Sequence, residues 1–191
     1  MRAQVEEQLR AVGPQAAMVE TLRAAVPDDG LLVPCTTTIG YMCHMHYPVY
    51  APRTYFSTSF MGTLGFAFPF ALGAKVGRPE RPVVCVTGDG GFLFAATELA
   101  TAVQYGINIV TLVYNDNAYG NSNRDQRERF GGRELGTELR NPDFVKFAES
   151  FGADAVRLAK GADVGPALRD ALGNSRPSVI ELPMDRLPSP F

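Results

Sequence analysis

The chain has 191 residues, 46% of them hydrophobic, enough to bury a sizeable core within one domain. A net charge of −2 and a pI near 5.7 give no electrostatic reason to expect nucleic acid or an anionic membrane surface as a partner. No apolar run has the length of a membrane span, and the opening MRAQVEEQLRAVG lacks the apolar centre of a signal peptide, so a cytoplasmic location is expected. Cys35, Cys43 and Cys85 show no CxxC spacing, which argues against structural zinc, an iron–sulfur cluster or a disulfide framework.

In chain order, residues 1–13 read as a linker or the end of a helix arriving from elsewhere, and one domain is expected over 14–191. Pro14 to Val26 has proline at a first helical position and apolar residues at helical spacing, and Pro27-Asp28-Asp29-Gly30 ends it. Leu31 to Val33 is a short strand, followed by Thr36-Thr37-Thr38 at its carboxyl end. Threonines there cap a helix or shape a turn; beside a phosphate their hydroxyls become donors. Tyr41 to Tyr55 carries both histidines, His44 and His46. Two imidazoles with no further clustered ligand make a poor metal site, and the stretch reads as a mobile, partly exposed loop. Phe60 to Val76, FMGTLGFAFPFALGAKV, is a glycine-rich turn entering a helix of small residues that permit close backbone approach.

Pro82 to Thr87 is a β-branched apolar run ending in glycines, a buried strand. From Phe92 the period becomes helical, with Leu93, Ala96, Leu99, Ala100 and Val103 on one face and Gly106 as the stop. Ile107 to Tyr114 is a second apolar strand. A parallel βαβ unit places Gly88-Asp89-Gly90-Gly91 and the turn from Asn115 to Gly120 together at one sheet edge, where open α/β sheets bind ligands. The first turn of the helix after the glycines is a natural phosphate seat. Asp89 conflicts with that seat, because a carboxylate repels a diphosphate by about 1–4 kcal/mol per charge pair. Mg²⁺ removes the conflict by joining carboxylates to phosphate oxygens, and Asp116, 27 positions after Asp89, is placed to be the second carboxylate.

Residues 121–140 hold five basic and four acidic residues. The stretch reads as a solvated loop or weak helix, equally as a lid over the site. Asn141-Pro142 reads as the cap of a helix to Phe151. Asp154 to Leu158 is a strand, Ala162 to Leu172 a helix and Ser178 to Met184 the last strand. The whole predicts a three-layer, doubly wound α/β domain with a mostly parallel sheet and helices on both faces.

Gly88-Asp89-Gly90, with Asn115-Asp116-Asn117 after the next strand, resembles the diphosphate-binding motif of thiamine-diphosphate-dependent enzymes, a group that includes acetolactate synthases and benzoylformate and pyruvate decarboxylases. The resemblance implies thiamine diphosphate and Mg²⁺ as cofactors and the corresponding fold. Asp89, Asp116 and the backbone carbonyl of Ala118 match the metal ligands. Aspartate for the usual asparagine at 116 leaves both Asp116 and Asn115 as candidates for the second ligand. Gly88, Gly90, Gly91, Tyr119 and Gly120 fall within the cofactor-binding turns, and Thr36 and Thr38 match a loop that touches the diphosphate. The glycine-rich stretch resembles a second signature, in which Gly62 offers a carbonyl to the aminopyrimidine and Leu64 wedges between the two cofactor rings. By the same resemblance His44 and His46 border the substrate.

The resemblance extends only to the diphosphate module. The glutamate that activates the aminopyrimidine is expected from a pyrimidine-binding domain or subunit, so the chain reads as a fragment or as one subunit of a split enzyme. The implied activity is decarboxylation of a small 2-oxo acid, or carboligation of the acetolactate synthase kind. The alternatives are the small β subunit of a split sulfopyruvate or phosphonopyruvate decarboxylase, and a non-catalytic cofactor-binding scaffold. Phe56, Phe60, Phe66, Phe68, Phe70 and Phe92 are expected to lie short of cover on the lone module and to favour a homo-oligomer.

Overall fold

Strands buried along their length need cover on both sides, and three strands of this chain, Leu31–Pro34, Val83–Gly88 and Val110–Asn115, are of this kind. The computed structural model describes residues 13–58 and 61–187. Its elements run α1 (Pro14–Ala25), β1 (Leu31–Pro34), α2 (Thr38–His46), α3 (Ala67–Gly77), β2 (Val83–Gly88), α4 (Asp89–Leu93), a 3₁₀ turn (Ala96–Glu98), α5 (Leu99–Gln104), β3 (Val110–Asn115), α6 (Gly120–Arg129), α7 (Phe144–Phe151), β4 (Asp154–Arg157), α8 (Gly165–Leu172) and β5 (Ser178–Pro183). The strands form one sheet in the order β1-β2-β3-β5-β4. Every pairing is parallel, where the sequence predicts a mostly parallel sheet.

The two faces hold separate cores. Val83 and Cys85 of β2 join one with Phe68, Phe92, Leu99 and Phe144, under α3, α4, α5 and α7. Val84 and Val86 join the other with Leu22, Ile39, Met42 and Leu168, under α1, α2 and α8. Within the first core Phe92 meets Phe68 edge-on at 5.3 Å and Phe144 at 5.8 Å, a spacing that aromatic quadrupoles favour. Cys85 is fully buried inside β2, as its apolar neighbours predict.

Three expectations change. Tyr41 to Tyr55 is not a loop throughout: α2 takes in residues 38 to 46, with Thr37 as its N-cap accepting from the Gly40 N–H at 2.9 Å. The helix expected from Phe92 is broken at Ala95, between α4 and the 3₁₀ turn. The break shifts the phase, so Phe92, Ala96, Leu99 and Ala102 are buried while Leu93 and Ala100 face solvent. Its cause is packing, since Gly65 comes so close that a Cβ there would lie 2.8 Å from that of Phe94. Finally, α7 is capped by Asp143, which accepts from the N–H groups of Val145 and Lys146, and not by Asn141. Residues 1–12 of the expected linker, Phe60 and residues 188–191 lie outside the described residues.

Candidate active site

A cavity of about 480 Å³ opens at the carboxyl ends of β1, β2 and β3, a size that suits a small-molecule ligand. Thr36, Thr38, Gly62, Leu64, Gly88, Asp89, Gly90, Gly91, Asp116, Ala118, Tyr119 and Gly120 all line it. The βαβ argument thus brings its two turns together, and the segments at 36–38 and 62–64 join them.

The floor is closely fitted. A Cβ on Gly90 would meet the Tyr119 ring at 2.6 Å, and one on Gly120 would lie 2.9 Å from Asp116 Oδ2. At either position a side chain would force the Tyr119 ring or the Asp116 carboxylate to move. The loop after β3 is shaped by two successive Asx turns. Asn115 Oδ1 accepts from the Asn117 N–H at 3.1 Å, and Asp116 Oδ1 from the Ala118 N–H at 3.2 Å. Asn117 sits at φ 56°, a left-handed conformation that asparagine tolerates.

Charge in this floor is costly. Asp89 is 2% exposed. Desolvation pushes its carboxyl up to about 6, with a smaller upward push from Asp116, against hydrogen bonds from Asn141, Gly90 and Asn117. Desolvation raises Asp116 as well. Yet the same cavity receives unsatisfied N–H groups. α6 starts at Gly120 with no side-chain cap and no acidic residue in its first turn, and Gly120, Asn121 and Ser122 face the cavity. α2 likewise starts at its edge, at Thr38. Two helix starts favour an anion, and two carboxylates favour a cation. A metal-bridged diphosphate satisfies both, so the residues fit the expected cofactor pair. The turn α4, where a phosphate seat is expected, spans only Asp89–Leu93, whereas α6 is a helix of ten residues.

The second-ligand question has a geometric side. Asn115 does not line the cavity. Its Nδ2 donates to Glu181 Oε1 at 2.8 Å and its Oδ1 accepts from Asn141 Nδ2 at 2.8 Å, so Asn115 is engaged behind the floor while Asp116 faces the cavity. Among the described residues no three His, Cys, Asp or Glu side chains gather as a metal site. A cation here would need backbone and ligand oxygens besides the two aspartates.

Gly62 and Leu64 form one side of the mouth. The Thr36 hydroxyl donates to the Gly62 carbonyl at 3.4 Å, joining two segments 26 residues apart. Phe94 also lines the cavity, beside Gly65, with its ring 6.5 Å from that of Tyr119. His44 and His46 are not brought to the cavity. They sit in the last turn of α2, whose first turn is at its edge, and His44 Nδ1 pairs instead with the Tyr55 hydroxyl at 2.6 Å.

The stretch 121–140 is an ordered return. Asn123, fully buried, donates to Glu134 and Thr137, and Arg186 reaches Asn123, Glu134 and Glu138. The phenylalanine patch is also redrawn. Phe68 and Phe92 are core, Phe56 and Phe66 pack against it, Phe70 stays exposed beside them as expected, and the open apolar residues lining the cavity are Leu64 and Phe94.

Sequence reading missed Phe94, Asn141 and Glu181. A glutamate inside the apolar strand SVIELP was the available sign of the last, because a charge there needs a partner. Nothing local marks Asn141, whose partners are 24 to 52 positions away.

Residues 36–182 match the family described as thiamine pyrophosphate enzyme, C-terminal TPP binding domain. The chain is 37% identical over 169 residues to acetolactate synthase of Bacillus subtilis strain 168, covering 88% of this chain and 29% of that one. It is 30% identical over 196 residues to sulfoacetaldehyde acetyltransferase of Castellaniella defragrans, covering 98% of this chain and 33% of that one. Among solved structures it is similar to the thiamine diphosphate-dependent 4-hydroxybenzoylformate decarboxylase of Rhodococcus jostii RHA1, with a TM-score of 0.81 and 29% identity over 90% of this chain and 32% of that chain. The chain thus spans about a third or less of the length of the relatives it matches.

Proposed function

The chain belongs to the thiamine pyrophosphate enzyme family as its C-terminal cofactor-binding domain, and from that premise we propose that it is the diphosphate- and Mg²⁺-binding part of a 2-oxo acid decarboxylase or carboligase of the acetolactate synthase kind. One observation carries this reading: Asp89, Asp116 and Ala118 share a cavity with the uncapped start of α6. Asp89, Asp116 and the Ala118 carbonyl would hold the cation. The N–H groups of Gly120, Asn121 and Ser122, with the Thr36 and Thr38 hydroxyls, would hold phosphate oxygens.

When bound, thiamine diphosphate would supply a nucleophilic carbon and an electron sink for decarboxylation of a 2-oxo acid. The residues of this chain do the rest by binding and orientation. Leu64 stands at the mouth as an apolar wedge for the two rings. The Gly62 carbonyl, which already accepts from the Thr36 hydroxyl, would accept from the aminopyrimidine amine. A pyrimidine-binding domain or subunit would bring the activating glutamate and cover Leu64 and Phe94. A small 2-oxo acid would be the other partner on this reading, and a charge of −2 gives no electrostatic reason to expect nucleic acid or an anionic membrane. We place the assembled protein in the cytoplasm as a homo-oligomer and as a lyase or transferase.

Titration calorimetry with thiamine diphosphate tests the reading. Binding is expected with Mg²⁺ present and not without it; equal affinity in EDTA would overturn the metal bridge.

A further inference from the structure

Behind the residues that face the cavity lies a second layer of polar side chains. Asn141, in the loop before α7, places its Nδ2 2.6 Å from Asp89 Oδ2, 2.8 Å from Asn115 Oδ1 and 3.3 Å from Asn117 Oδ1. Asn115 in turn donates to Glu181 Oε1 at 2.8 Å. The Glu181 carboxylate is 3% exposed and is closed by Arg157 Nε at 2.7 Å, while Arg157 Nη2 reaches the cap Asp143 at 2.8 Å. One line of contacts therefore runs from the end of β2, through β3 and β5, to β4 and the start of α7.

The orientation of the Asn141 amide is set by chemistry. Turned over, its oxygen would face three acceptors; as it stands, its Nδ2 faces them and its Oδ1 is buried without a partner. A buried acceptor left bare is costly, so the donor's contacts must outweigh it. Helix capping does not explain the residue, because Asp143 caps α7.

We propose that Asn141 is a positioning residue for the cation: it fixes the orientation of the Asp89 carboxylate, with Glu181 and Arg157 anchoring the Asn115 side of the contact. The proposal rests on the reading of Asp89 as a metal ligand. Partners behind a ligand set its direction, and their loss commonly lowers metal affinity by about ten- to a hundredfold. Mg²⁺ demands near-ideal octahedral geometry, whereas Ca²⁺ accepts irregular sets of oxygens. A carboxylate freed to rotate therefore harms Mg²⁺ more.

The test uses the full chain as wild type, Asn141→Ala and Asn141→Ser, each titrated with Mg²⁺ and separately with Ca²⁺ in the presence of thiamine diphosphate. Both variants should bind Mg²⁺ about ten- to a hundredfold more weakly and lose less for Ca²⁺, so that the preference for Mg²⁺ falls by at least about threefold. A general loosening of the fold would weaken both cations alike. Equal loss for both, or no loss, overturns the role of Asn141 while leaving the cofactor reading intact. A wild-type chain that binds neither cation overturns the cofactor reading and this proposal with it. Thermal unfolding of the cation-free variants identifies which are folded, and absence of a cooperative transition in both would assign Asn141 to the fold and overturn the positioning role.

Discussion

The floor of the cavity, at the ends of β2 and β3, is polar and shut away from solvent, whereas its mouth is apolar and open: Asp89 is 2% exposed, Leu64 39% and Phe94 61%. Each arrangement is unfavourable for an isolated domain, in opposite senses. A buried carboxylate lacks water, and an open phenylalanine has too much of it. The two needs point to two kinds of partner: an ion pair of cation and phosphate below, and an apolar surface above. The floor is braced by side chains of this chain, Asn141 among them, and the mouth is not.

The comparison breaks first at Asp89. Asp89→Ala should weaken Mg²⁺-dependent binding of thiamine diphosphate by about a hundredfold or more, read by calorimetry, because it removes a ligand and not merely a ligand's support. Undiminished binding would place the cation elsewhere. Phe92→Ala should cost about 3–5 kcal/mol of stability in urea unfolding, since the ring is fully buried between Phe68 and Phe144 directly beneath the floor. A loss under about 1 kcal/mol would mean that the floor is not carried by that core.

Acidity sharpens the same contrast. Folded Asp89 holds its proton to about pH 6 against an ordinary 3.8, so between those values the folded chain binds more protons than the unfolded one. The stability this gives to the cation-free chain is complete below about pH 4 and is lost as pH rises through about 6, on the order of 3 kcal/mol in all. Asp89→Asn should flatten that part of the stability–pH curve relative to wild type; parallel curves would refute it. At the mouth the effects are smaller. Leu64→Ala should cost about 1 kcal/mol or less in stability and leave cofactor affinity within about threefold, while lowering turnover of the assembled enzyme. Loss of affinity with unchanged turnover would return Leu64 to an ordinary packing role. His44→Ala, at the far end of α2, should leave cofactor affinity unchanged within error; a tenfold loss would bring that helix end into the site.

Legibility followed the range of the interactions. β2 and β3 were legible because apolar runs ending in glycine or in Asn115-Asp116-Asn117 carry their own pattern, and the parallel crossover then fixed where their turns meet. The floor residues were found for that reason. The break at Ala95 was not, because it depends on Gly65, thirty positions earlier, pressing on Phe94. That His44 and His46 lie away from the cavity was not legible, because α2 has little amphipathic pattern, with histidines, a tyrosine and a glycine among its residues, and only the Thr37 cap marks its start. Asn141 was read from its proline neighbour as a cap, although its partners all come from other elements.

The strand order carries a consequence for how the domain comes to exist. β5 is the last strand in sequence but pairs between β3 and β4, so the sheet is completed by insertion and not by addition at an edge. Until that strand enters, β4 has no neighbour among the described residues, and Asn115 lacks Glu181. Such distant pairing is slow, because much chain must be ordered before the contact forms. A chain still emerging during synthesis can therefore present Asp89 and Asp116 without the braced floor around them. The braced floor is complete only once the last described strand has entered the sheet.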